Sequence, residues 1–81
     1  MAEFQTVGYK TKDLAESAAL ITKGQKLISM ERESKICWFI FENKKECEKL
    51  SSDFFFGELQ VNARSFYETI VRLKHRIFSY E

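Results

Sequence analysis

The chain has 81 residues, with 13 Lys+Arg, 12 Asp+Glu, one His, two Cys, three Gly and no Pro. That length allows one domain, and 44% hydrophobic and 15% aromatic residues exclude a disordered chain. A net charge of +1 removes the simplest case for a strongly basic nucleic-acid binder or a polybasic membrane anchor.

Met1-Ala2-Glu3-Phe4-Gln5-Thr6 lacks a charged region followed by an apolar run, so it does not read as a secretory signal. Phe4-Gln5-Thr6-Val7 alternates apolar and polar residues and predicts a first strand, which Gly8 punctuates. Thr11 is a candidate N-cap, with Asp13 suited to the positive end of the helix that follows. Leu14, Ala15, Ala18, Ala19 and Ile21 recur at helical spacing, with Lys12, Glu16 and Lys23 read as mostly off that stripe. Gly24 then fits the left-handed residue after a helix. The small inner face predicts close packing on a sheet.

Lys26 to Arg32 alternates as a strand. Ile36 to Phe41 is stronger, with Ile36, Trp38 and Ile40 on one face and Cys37, Phe39 and Phe41 on the other. Apolar residues on both faces predict a central strand covered on both sides. The Arg32-Glu33-Ser34-Lys35 connection predicts an antiparallel hairpin. Asn43-Lys44-Lys45-Glu46 has capping-box spacing, and Cys47, Leu50 and Phe54 continue as an apolar stripe to about Phe55. Gly57 breaks that pattern, and Glu58 to Val61 reads as a short connection. Asn62 caps the last helix, with Val61 and Phe66 placed as a hydrophobic staple. Phe66, Ile70, Leu73 and Ile77 form its stripe, widened by Tyr67, Val71 and Phe78. The order is β-α-β-β-α-α, an α+β two-layer domain of about three antiparallel strands and two to three helices.

No run reaches the ~18–20 apolar residues that span a bilayer, so no membrane association is expected. Cys37 and Cys47 form no C-x-x-C pair and read as free thiols of a reducing cytoplasm.

The chain resembles a family of short, uncharacterised bacterial and phage-encoded domains of unknown function. The resemblance covers nearly the whole chain. It runs through Phe4-x-Thr6, Asp13-Leu14-Ala15, Lys23-Gly24 and the aromatic strand Trp38-Phe39-Ile40-Phe41. It ends with Phe56-Gly57-Glu58-Leu59-x-Val61-Asn62-Ala63-Arg64-x-Phe66-Tyr67 and Leu73-Lys74. It implies a coherent fold and little chemistry, with host-interaction or nucleic-acid roles as its only functional suggestions.

Four features could carry function. The last helix places Arg64, Glu68, Arg72, His75 and Arg76 opposite its apolar stripe. Arg64, Arg72, Lys74 and Arg76 against Glu68 give it a local charge of +3. These four cations could track phosphates, although a solvated face complementing the helix dipole is the commoner explanation. Lys74 falls within the apolar arc; its methylenes would cover apolar surface, or it could anchor an anion in a pocket beside Tyr67. Trp38, Phe39 and Phe41 could stack on bases, but a small domain needs such rings for its core. Phe54, Phe55 and Phe56 cannot all face inward from one helical turn, so an exposed ring there would mark a self-association or partner surface.

Catalytic, cofactor and metal sites are not expected. His75 has no partner at ligand spacing, and the glycines are isolated rather than gathered in a phosphate loop. The expected function is a small non-enzymatic interaction module for a protein partner or a second copy, through Trp38, Phe54, Phe55 and Phe56. The alternative is a nucleic-acid-binding domain using Arg64, Arg72, Lys74 and Arg76.

Overall fold

A computed structural model describes residues 8–79. The expected first strand at Phe4–Val7 lies outside those residues. The described chain runs β1 (Tyr9–Thr11), α1 (Leu14–Thr22), β2 (Leu27–Glu33), β3 (Ile36–Phe41), α2 (Lys44–Phe55) and α3 (Ala63–Ser79). Three strands form one antiparallel sheet in the order β1-β3-β2. The α+β order read from the sequence is therefore the observed one.

β3 is central, as its apolar run predicts, but the helices cover it on one face only. Phe39 and Phe41 are buried beneath them, whereas Ile36 is exposed and Trp38 and Ile40 are half-buried on the other face. The hairpin turn is tighter than the sequence suggests, with Glu33 opposite Ile36 and only Ser34 and Lys35 between. Ser34 takes φ 60°, which closes a two-residue turn where Asn or Gly is usual. A bulge between Leu27 and Ser29 leaves Ile28 more than half exposed at the start of β2. Gly8 directly precedes β1. A Cβ there would lie 3.0 Å from the Phe41 carbonyl oxygen and 3.2 Å from Ile40 Cγ2, so the close approach to β3 favours glycine.

The N-cap of α1 is Asp13, not Thr11. Asp13 Oδ1 accepts from the Glu16 N–H at 2.9 Å, while Thr11 ends β1 and its hydroxyl accepts from the Asp13 N–H at 3.2 Å. Asp13 wins because it sits directly before the first helical residue, within reach of the free amides. α1 and α2 then end alike. Gln25 N–H donates to the Leu20 carbonyl and Gly24 N–H to Ile21; Glu58 N–H donates to Asp53 and Gly57 N–H to Phe54. These are paired Schellman closures, and each needs the positive φ of Gly24 (94°) or Gly57 (74°). Asn43 and Asn62 cap α2 and α3 as their spacing predicts, accepting from the N–H groups of Glu46 and Ser65.

α1 lies between α2 and α3. Ala18 and Leu20 of α1 join Phe39, Phe41, Cys47 and Leu73 in the core. The small residues of α1 bring it close to α3 and α2; the close packing on the sheet expected from the sequence is not its main contact. α3 turns a narrower face inward than its apolar pattern suggests. Thr69 and Leu73 are buried, with Phe66, Ile70 and Ile77 packed around them. Tyr67 and Phe78 do not widen the stripe: they are 67% and 71% exposed. They fall well over 100° around the helix from Leu73, beyond the reach of the layer below.

Candidate binding surfaces

Phe54 continues the Cys47–Leu50 stripe at helical spacing and is half-buried. Phe55 is rotated about 100° away on the same helix, and Phe56 is the C-cap. Both leave the core, at 79% and 70% exposure. Their rings meet edge to face, with centroids 5.2 Å apart and planes at 86°. That geometry suits the ring quadrupoles and holds two large apolar groups in solvent as one unit.

Trp38 does not join them. It stands on the sheet face away from the helices, while the phenylalanines end α2 in the helical layer. The Trp38 ring carries Lys10 Nζ at 5.0 Å and Lys12 Nζ at 5.9 Å from its centroid. Its Nε1–H donates to Glu33 Oε1 at 2.9 Å. The aromatic surface expected from Trp38 and Phe54–Phe56 is thus two separate places. Phe39 and Phe41, read as possible stacking rings, are buried core.

The four cations of α3 are divided as well. Arg64 Nε pairs with Glu68 Oε2 at 3.1 Å, one turn along the helix. Lys74 is exposed on the Tyr67 flank, across the helix from Arg76, and both Lys74 and Tyr67 lie open to solvent. Only Arg72 and Arg76 come together. They line an open groove of about 530 Å³ between α3 and β2, whose floor is Leu27, Ile28, Met30 and Leu73. Beyond it, Arg32 Nη2 donates to the Ile77 carbonyl at 3.1 Å and ties β2 to the end of α3. His75 lies on the exposed side of α3.

The most connected polar group is Glu16, which its place off the α1 stripe assigns to the surface. It is 9% exposed. Thr11 Oγ1 donates to Glu16 Oε1 at 2.8 Å and Tyr9 Oη to Oε2 at 2.6 Å. Ser51 Oγ lies 3.0 Å from Tyr9 Oη; the phenol donates its single proton to the bond with Glu16, so the serine is the donor here. One carboxylate thus links β1, α1 and α2. Burial and the Glu16 bond push the Tyr9 phenol up to about 12. Burial, with Glu16 and Glu46 nearby, pushes the Cys47 thiol up to about 11. The sequence held one usable signal: Glu16 stands three residues after Asp13, at capping-box spacing.

Every buried side-chain polar atom among the described residues has a partner. Among them no three His, Cys, Asp or Glu side chains are grouped to hold a metal ion. No described helix is long and apolar enough to cross a membrane. The arrangement offers surfaces for recognition: an aromatic pair, a lysine-flanked tryptophan and an arginine-walled groove.

No curated protein and no solved structure matches the chain. One family model does, over residues 6–79, described as Domain of unknown function (DUF5659). With all six described elements inside that span, the chain belongs to the DUF5659 family.

Proposed function

We propose that this domain is a non-enzymatic protein-interaction module anchored by Phe55 and Phe56. The observation that carries the reading is the edge-to-face pair itself, with both rings at least 70% exposed. Two adjacent large rings in water give up hydration favourably on contact, and aromatic anchors dominate many interfaces. The Schellman closure at Gly57 holds the end of α2 in shape, which lowers the ordering cost of binding. Two unpaired thiols suit a reducing cytoplasm, and the resemblance suits a bacterial or phage setting.

Self-association is the version open to direct test. Sedimentation over a wide concentration range should show reversible dimerisation that Phe55→Ser/Phe56→Ser abolishes without loss of fold. A strict monomer at high concentration, or a dimer indifferent to both substitutions, overturns the self-association version.

Nucleic-acid binding through Arg64, Arg72, Lys74 and Arg76 has less behind it. Arg64 is engaged by Glu68, and Lys74 and Arg76 lie on opposite flanks, so the four present no continuous track. That reading requires oligonucleotide binding that weakens steeply with salt and with Arg72→Glu/Arg76→Glu.

A further inference from the structure

We infer that the sheet face turned away from the helices takes an amphipathic helix of a partner protein, with acidic residues along one flank of its apolar stripe and basic residues along the other. This site is separate from the Phe55–Phe56 pair and stands without it. The strand register puts Trp38 in the middle of the face, with Ile40 and Ile36 on either side of it along β3. Ile36 is exposed, and Trp38 and Ile40 are half-buried. Among the described residues the helices cover only the face that carries Phe39 and Phe41, which leaves this ridge open.

The two margins of the ridge carry opposite charge. On the β1 side, Lys10 and Lys12 hold their ammonium groups 5.0 and 5.9 Å from the Trp38 ring centroid. On the β2 side, Glu31 stands opposite Trp38 and Glu33 opposite Ile36, and Glu33 Oε1 accepts from Trp38 Nε1–H at 2.9 Å. All four charged residues are exposed. β1 and β2 each lie one strand spacing from β3, and so about 9.6 Å from one another. A helix is about 10 Å across. Laid along β3, it sets its stripe on Ile36, Trp38 and Ile40 and its flanks over the two charged rows. Same-face residues of a strand repeat every ~6.8 Å, and helix residues i and i+4 lie ~6 Å apart along the axis. Acidic residues at i and i+4 on one flank therefore meet Lys10 and Lys12, and basic residues so spaced on the other meet Glu31 and Glu33. A single-stranded nucleic acid stacked on Trp38 would bring its phosphates beside Glu31 and Glu33, which disfavours it.

Trp38 is the chain's single tryptophan, so its fluorescence reports this face directly. The test titrates the protein with a tryptophan-free helical peptide that has a leucine stripe, glutamates at i and i+4 on one flank and lysines at i and i+4 on the other. Two further peptides carry glutamate on both flanks or lysine on both, and the fourth ligand is a single-stranded thymidine oligonucleotide. The mixed peptide should shift Trp38 emission to the blue, saturably, and bind about tenfold more tightly than either single-charge peptide. Lys10→Glu/Lys12→Glu makes both margins acidic and should turn the preference to the lysine peptide. Glu31→Lys/Glu33→Lys makes both basic and should turn it to the glutamate peptide. Phe55→Ser/Phe56→Ser should bind the mixed peptide as the unmodified protein does, which separates this site from the aromatic one. The inference is overturned if the mixed peptide leaves Trp38 emission unchanged, or if a folded charge-reversed variant ranks the peptides as the unmodified protein does. It is also overturned if Phe55→Ser/Phe56→Ser abolishes the shift, or if the oligonucleotide changes Trp38 emission at an equal or lower concentration.

Discussion

Tyr9 Oη and Glu16 Oε2 lie 2.6 Å apart, a side-chain bond that fastens the three-residue β1 to α1. Tyr9→Phe removes the donor and keeps the ring. It should cost about 1–2 kcal/mol in urea unfolding. Combined with Glu16→Gln in a double-mutant cycle, it should show coupling of about 1 kcal/mol. Simple additivity would mean that the two groups do not sense one another.

Alkaline pH should weaken the fold through the buried phenol and thiol. Tyr9 is raised from 10.0 to about 12 and Cys47 from 9.0 to about 11. Both groups hold their protons more tightly when folded, so their contribution is complete below pH 9. It falls from pH 9 to about 11 for Cys47 and from pH 10 to about 12 for Tyr9. Unfolding free energy measured against pH should fall across that window, and Tyr9→Phe should flatten its upper part.

The two thiols should differ in reactivity. Cys47 is fully buried, with its Sγ 3.8 Å from Gln25 Oε1, while Cys37 is half-buried on β3. A thiol reagent should label Cys37 in the native protein and reach Cys47 only on unfolding. Cys37→Ser should therefore abolish native labelling; fast labelling that survives it would place Cys47 in solvent.

Backbone handedness predicts opposite signs at three turn positions. Gly24 and Gly57 have positive φ and no atom within 4 Å of a built Cβ. Gly24→Ala and Gly57→Ala should each cost about 1 kcal/mol through backbone conformation alone, without a clash. Ser34 already bears that strain at φ 60°, so Ser34→Gly should stabilise the hairpin by a few tenths of a kcal/mol or more. Thermal unfolding reads all three.

The phenylalanines should divide sharply by position. Phe39→Ala or Phe41→Ala, at 1% and 0% exposure, should cost about 3–5 kcal/mol and threaten folding altogether. Phe55→Ser and Phe56→Ser should move stability by only about 0.5 kcal/mol. A large loss at Phe55 or Phe56 would make the pair part of the core.

The described helices and hairpin were legible because their signals are local. Asn43, Asn62, Gly24 and Gly57 mark ends through hydrogen bonds that close within a few residues. The errors arose where the answer depends on what lies across the fold. Thr11 resembles a cap until Asp13 is seen next to the first helical residue. Tyr67 and Phe78 resemble core until the width of the layer beneath α3 is known. Glu16 resembles a surface acid because its partners come from β1, and Tyr9's further partner, Ser51, is 42 residues from Tyr9. Arg72 and Arg76 are distinguished from Arg64 and Lys74 only by β2 lying beside one flank of α3.

The shortness of β1 has a consequence for misfolding. β3 reads Ile-Cys-Trp-Phe-Ile-Phe, six residues with no charge and no proline. Such a segment is a template for cross-β stacking when its edges are open. β2 guards one edge through a local hairpin, whereas among the described residues the other is guarded by Tyr9, Lys10 and Thr11, which pair with Phe41, Ile40 and Phe39. The bonds from Tyr9 and Thr11 to Glu16 therefore also serve as a latch against fibril growth.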